Sequence, residues 1–210
     1  PAINNPGQGD IDGDGIPDDD LNGDGNPNND DLDGDAVIDA CDEDADEDFV
    51  ALMSGEKNGM ELFATGKLLV ERLTSAGHVL AEKCIVLDDI YQIRATVSRW
   101  IADPDVQAVI STGGTGVTGR DGTPEAVEAL LDKRLDGFGE IFRMISFDEI
   151  HTSTIQSRAV AGVANGTFIF CVPGSSGACR TAWDKLIQAQ LDHRTRPCNF
   201  VELLPRLREA

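Results

Sequence analysis

Between Pro1 and Asp48 the sequence has no lysine, no arginine and no aromatic residue, yet 18 of the chain's 38 acidic residues crowd into that stretch. A block with no counter-charge and little large apolar surface repels itself, so no packed core is expected of it unless cations bind. Long apolar runs are missing too. None reaches the ~18 residues of a membrane span, and no basic stretch followed by an apolar one marks a secretion signal. A membrane partner is therefore not expected, and a net charge of −21 argues against a nucleic-acid partner. Cysteine is sparse: Cys41, Cys84, Cys171, Cys179 and Cys198 are odd in number and irregular in spacing, which excludes a disulfide framework or zinc site and leaves buried or free thiols.

Outside the acidic block, 20 acids stand against 17 bases over 162 residues, with enough aliphatic content for one sizeable core. The expected organisation is an extension over 1–48 followed by a domain over 49–210.

The front block has a period. DIDGDGIPDDD, LNGDGNPNNDD and LDGDAVIDACD succeed one another at about eleven residues. Asp10, Asp12, Asp14 and Asp18 fall at positions 1, 3, 5 and 9 of a cation loop, with Gly15 where the chain must turn sharply. Asn22, Asp24, Asn28, Asp30, Asp33, Asp35 and Asp39 continue the series. That spacing can gather hard oxygen ligands around Ca²⁺, although Leu21 stands where an EF-hand has its closing Glu. The pattern resembles the type 3 repeats of thrombospondin over residues 9–44. Its alternative is a solvated acidic linker that binds cations diffusely.

From Phe49 onward, short apolar runs alternate with amphipathic stretches. FVALM (49–53), CIVL (84–87), AVIST (108–112) and TFIFCV (167–172) predict buried strands. Leu68, Leu69 and Leu73 predict a helix, as do Ile90, Ile93, Val97, Trp100 and Ile101, and later Trp183, Leu186, Ile187 and Leu191. Regular alternation of this kind predicts a three-layer αβα domain with a mostly parallel sheet, in which ligands bind where loops leave the carboxyl ends of strands.

One such loop is STGGTGVTGRDGTPEA, residues 111–126. Gly113, Gly114 and Gly116 permit close backbone approach, while Thr112, Thr115 and the loop amides offer donors to phosphate oxygens. The loop matches neither the dinucleotide fingerprint nor the P-loop, so taken alone it could be a plain turn. Downstream stand GFGEIFRMISF (137–147), TSTIQSRAVAGVANGT (152–167), PGSSGACRTAWDKLI (173–187) and TRPCNF (195–200).

Taken in that order, these segments resemble the MoaB/MogA family of molybdenum-cofactor biosynthesis proteins, and TRPCNF resembles its MoaB branch. The resemblance runs from about Phe49 to the end. It implies a cytoplasmic, homo-oligomeric domain, trimer or hexamer, that binds molybdopterin and transfers AMP from ATP to its terminal phosphate with Mg²⁺. By motif it assigns Asp88 and Asp121 to catalysis and metal holding. It assigns the TGGTG loop (Thr112, Gly113, Gly114, Thr115, Gly116), Ser157 and Pro173-Gly174-Ser175 to the pterin and its phosphate. A phosphate nucleophile is already anionic, so such a site needs positioning and charge neutralisation more than a base, and Arg120, Arg143, Arg158 and Arg180 are candidates to offset charge.

Asp88 and Asp121 each have a second reading as caps of the helices beginning near Asp89 and Thr123. Residues 53–65 depart from the family pattern, with Gly55-Glu56 and Phe63-Ala64 where polar and acidic residues are usual. That departure leaves open a non-catalytic molybdopterin-binding or assembly protein. The calcium repeat would suit an extracellular or periplasmic setting.

Overall fold

The short apolar runs over Ala108–Thr112 and Thr167–Val172 become, in a computed structural model, two adjacent central strands whose every residue is buried. The structure describes residues 50–55 and 60–208. The calcium-repeat reading and its ligands Asp10 to Asp39 therefore lie outside the described residues.

Six strands make one sheet: β1 (Val50–Gly55), β2 (Leu80–Val86), β3 (Ala108–Thr112), β4 (Lys133–Arg134), β5 (Val160–Ala164) and β6 (Thr167–Val172), in the order β2-β1-β3-β6-β5-β4. The helices are α1 (Met60–Ser75), α2 (Ile90–Ala102), α3 (Thr123–Glu128), α4 (Asp136–Ile150) and α5 (Ser176–Ala182). The last continues through one π turn, Trp183–Ile187, to Gln190.

The expectation of a mostly parallel sheet is corrected: the sheet is mixed. β1 pairs parallel with β2 and β3, and β3 parallel with β6, but β5 runs antiparallel to both β6 and β4. The physical cause is the two-residue connection Asn165-Gly166. Both residues have positive φ, 47° and 85°, the geometry of the tight hairpin turn that Asn-Gly favours. Parallel neighbours need a long crossover, and two residues cannot supply one.

Strand parity divides the apolar residues between two faces. Ala108, Ile110, Phe168, Phe170 and Val172 face Leu69 and Leu73 of α1, Phe142 of α4, and Cys179, Ala182, Trp183 and Ile187 of the long C-terminal helix. Val109, Ile169 and Cys171 have the opposite parity and are equally buried. On the far side α2 buries Ile93, Val97 and Trp100, packs against α3, and meets β2 where the Trp100 Nε1 donates to Glu82 at 2.6 Å. Fully burying a side chain of these sizes contributes roughly 1.5–3 kcal/mol each before the entropy of ordering is charged against it. Among the described residues, no helix is long and apolar enough to cross a membrane.

The mixed pairing also decides which loops meet. β3 and β6 are parallel and in register at Thr112 and Val172, so the loops that follow them leave the same edge, and the Gly113 amide donates to the Val172 carbonyl at 3.0 Å. Because β5 is antiparallel, with Val160 opposite Cys171, the segment entering β5 arrives at that edge too. A parallel β5 would have delivered it to the other end of the sheet.

Candidate functional site

At this edge a cleft of about 360 Å³ opens. Its walls are Gly113 to Gly116 and Asp121 after β3, Gln156 and Ser157 before β5, and Pro173 to Ser175 after β6, with Phe142, Ser146, Glu149 and Ile150 of α4 closing one side. Segments more than 60 positions apart in sequence thus line one depression.

The loop after β3 is built around glycine. Gly113 and Gly114 have φ of 97° and 63°, conformations that side chains rarely adopt. A Cβ on Gly114 would fall 2.2 Å from the Thr123 Oγ1, and one on Gly116 would fall 2.7 Å from the Asp121 Oδ2. The loop is folded back onto the start of α3, where the Thr123 amide donates to the Gly114 carbonyl at 3.1 Å. Pro173 to Ser175 lead into α5, with the Ser175 Oγ accepting from the Ala178 amide at 3.2 Å. Ser175, Gly177 and Ala178 all line the cleft, so the first turn of this helix opens onto it.

Thr112 does not reach the wall. Fully buried under the loop, its hydroxyl lies 3.2 Å from the Cys179 Sγ and donates to the Pro173 carbonyl at 3.4 Å, tying the two loops together from below. Burial pushes the Cys179 thiol up to about 11 and that of Cys171 to about 12, which leaves both as inert core groups.

Neither acidic residue caps its neighbouring helix. The cap of α2 is Asp89, whose Oδ1 accepts from the Tyr91 and Gln92 amides at 3.0 and 2.9 Å. Asp88 instead directs its Oδ1 to within 3.6 Å of where a Gly114 Cβ would stand. The cap position of α3 is Gly122, without a side-chain bond. Asp121 turns its carboxylate back to accept from the Thr118 amide at 2.7 Å and hydroxyl at 2.6 Å. The two carboxylates thus approach the glycine loop, Asp88 at Gly114 and Asp121 at Gly116, although only Asp121 is on the cleft wall. Among the described residues, no three His, Cys, Asp or Glu side chains gather as a ligand set.

The arginines do not do what their charge suggested. None of Arg120, Arg143, Arg158 and Arg180 lines the cleft. Arg158 binds the carbonyls of Gly116 and Asp121 and pairs with Glu125. Partial desolvation raises the Glu125 carboxyl, but the hydrogen bond and charge of Arg158 outweigh it and leave the pKa below its ordinary value. Sequence reasoning also missed Ser146, Glu149, Ser153 and Gln156. They belong to α4 and the turn after it, and only α4's packing brings them to the edge. Glu149 accepts from the Lys185 Nζ at 2.6 Å and from the Thr181 hydroxyl, which hold its pKa below the ordinary value.

An α/β domain with glycine and PGS loops meeting at one sheet edge matches a known class: residues 64–193 match the family described as probable molybdopterin binding domain. The chain belongs to that family, among the MoaB/MogA molybdenum-cofactor biosynthesis proteins. It is 56% identical over 149 residues to molybdenum cofactor biosynthesis protein B of Escherichia coli K12, covering 71% of this chain and 88% of that protein. A crystal structure of a molybdenum cofactor biosynthesis protein B superposes with a TM-score of 0.68 at 40% identity, covering 77% of this chain and 98% of the other. The tungsten cofactor synthesizing protein MoaB from Pyrococcus furiosus superposes with a TM-score of 0.62 at 27% identity, covering 78% and 98%.

Proposed function

We propose that the cleft holds molybdopterin and that the chain transfers AMP from ATP to its terminal phosphate. The observation that carries this reading is the convergence of the TGGTG loop, Asp121, Ser157 and the PGS turn on one cavity of about 360 Å³, within the size range of small-molecule sites. In the transfer, an oxygen of the pterin's phosphate forms a bond to the α-phosphorus of ATP, the bond to the β-phosphate oxygen breaks, and pyrophosphate leaves with that electron pair. The attacking oxygen is already anionic, so no general base is required.

The residues divide the work by chemistry. Backbone amides of Gly114 to Gly116 and the first turn of α5 are donors suited to phosphate oxygens. Ser157 and Ser175 supply hydroxyls, and Phe142 and Ile150 give the pterin ring an apolar surface. Asp88 and Asp121 would hold Mg²⁺; one or two carboxylates completed by substrate phosphates is the usual protein share of such a site, and the donor set fits. Magnesium bound there would offset the phosphate charge that no arginine on the cleft wall offsets.

The test is ATP- and Mg²⁺-dependent AMP transfer to molybdopterin, with Asp121→Asn beside the wild type. The expected loss in the variant is on the order of a hundredfold or more in kcat, with an unchanged melting temperature. Retention of transfer within a few-fold would refute the metal role of Asp121. A second reading, binding without transfer, is favoured by one observation. The family match starts at residue 64, so Met53 to Phe63, where the sequence departs from the family's polar pattern, fall outside it. Molybdopterin binding with no transfer in the wild type selects that reading.

A further inference from the structure

Arg158 makes three ties to the loop after β3 and a fourth to the helix α3 that follows it. Its own amide donates to the Thr115 carbonyl at 3.1 Å, its Nε to the Gly116 carbonyl at 2.6 Å, its Nη2 to the Asp121 carbonyl at 2.6 Å, and its Nη1 to the Glu125 carboxylate. The guanidinium therefore bridges both ends of the stretch 116–121. It does so from behind: Arg158 is absent from the lining of the cleft and instead lines a separate polar depression with Arg134, Arg143 and Glu128. Its charge is answered by Glu125 at Nη1, and its Nε and Nη2 donate to carbonyls.

The consequence for the loop follows from peptide geometry. A trans peptide points its N–H opposite to its carbonyl. Holding the Gly116 and Asp121 carbonyls therefore turns the Val117 and Gly122 amides away from the guanidinium. It also sequesters two carbonyl oxygens, whose partial negative charge would oppose an anionic ligand nearby. Asp121 is gripped twice, at its carbonyl by Arg158 and at its carboxylate by Thr118, and so loses the freedom to swing.

From this geometry we infer that Arg158 is a positioning residue, which holds the glycine loop and Asp121 in their working geometry and touches no substrate. A lysine cannot replace it, because a single ammonium cannot span two carbonyls and a carboxylate as the planar fork does. In its effect on transfer the inference rests on the function proposed above; in its effect on the loop it does not.

The test uses the full chain with Arg158→Lys and Arg158→Ala, first in thermal unfolding and amide hydrogen exchange without ligand. Amides of 115–122 are expected to exchange about tenfold faster or more in both variants, while β3 and β6 keep their protection. MgATP-dependent transfer to molybdopterin forms the second arm. There kcat should fall about tenfold or more with a change of less than about threefold in the KM for ATP, and lysine should do no better than alanine. Arg158→Ala combined with Asp121→Asn should be no slower than Asp121→Asn alone, since one residue acts through the other. Unchanged loop exchange in Arg158→Lys overturns the inference. Rescue by lysine, or a raised KM with losses that multiply in the double variant, also overturns it and marks a direct phosphate contact. A wild type that transfers no AMP refutes the proposed reaction, and loop exchange then decides on Arg158 by itself. Should Arg158→Ala fail to fold, Arg158→Lys, which keeps the charge and the stem, carries both arms.

Discussion

Replacing Gly114 by alanine isolates the physical basis of the glycine loop. At φ +63° an alanine takes on the strain of the left-handed region, about 1 kcal/mol. Its Cβ would also stand 2.2 Å from the Oγ1 and 3.2 Å from the Cβ of Thr123, a buried residue whose amide is bonded to the Gly114 carbonyl. Relieving that overlap requires the loop and the start of α3 to part, at the roughly 1–3 kcal/mol typical of overpacked sites. The expected destabilisation is therefore about 2–4 kcal/mol, or about 5–15 °C in thermal midpoint for a domain of this size. Gly77 is the internal control. It has φ +87° at the end of α1, and a Cβ there would meet nothing within 4 Å. Gly77→Ala should cost only the strain, about 1 kcal/mol. Thr123→Ala combined with Gly114→Ala removes the contact to Oγ1 but leaves the 3.2 Å approach, so it should recover part of the loss. Thermal and urea unfolding of the three variants beside the wild type decides the matter. Equal, small effects of Gly114→Ala and Gly77→Ala would refute the close-approach reasoning.

Three further outcomes are expected. Calcium titration of the full chain should show saturable binding that Asp14→Ala weakens more than Asp48→Ala, because only the former lies in the cation-loop spacing; equal effects would indicate a diffuse polyanion. His78, edge-on to Trp183 at 5.8 Å, has its pKa lowered by burial against the opposing pull of Asp192. The unfolded chain therefore binds the proton first as pH falls, so this residue's contribution is present above about pH 6.5 and is lost on acidification below it. The loss in thermal midpoint between about pH 7 and 5 should shrink in His78→Gln, and an unchanged pH profile would refute the linkage. Finally, Ile141, Met144, Phe147 and Ile150 leave an exposed apolar line along α4. If the chain self-associates through it, Met144→Glu with Phe147→Glu should shift the sedimentation coefficient toward that of a monomer; no shift would refute a contact through this face.

Strand positions at Ala108–Thr112 and Thr167–Val172 were readable residue for residue from the sequence, because fully buried strands must be continuous apolar runs and few other structures are. The helices α1 and α2 were readable from their three- and four-residue spacing for the same reason. Family membership was readable as well, since it resides in ordered local motifs. Strand direction was decided by a turn: Asn165-Gly166, a local signal embedded in a longer motif, made the sheet mixed. β4 is two exposed residues and carries no pattern at all.

The site divides along the same line. Glycines at 113, 114 and 116 are visible in sequence because a backbone that must take positive φ or a close approach admits little else. Which carboxylate caps and which faces the loop depends on a helix beginning one residue later than expected, so Asp89 rather than Asp88 caps α2. Likewise Thr112 shares its motif with the cleft residues but points beneath them, and Arg158 spends its charge on carbonyls behind the loop. Residue type and spacing determine what chemistry is available, since they act locally. Direction, burial and the choice of partner depend on contacts between segments far apart in the chain, and those exist only once the sheet has set its order and register.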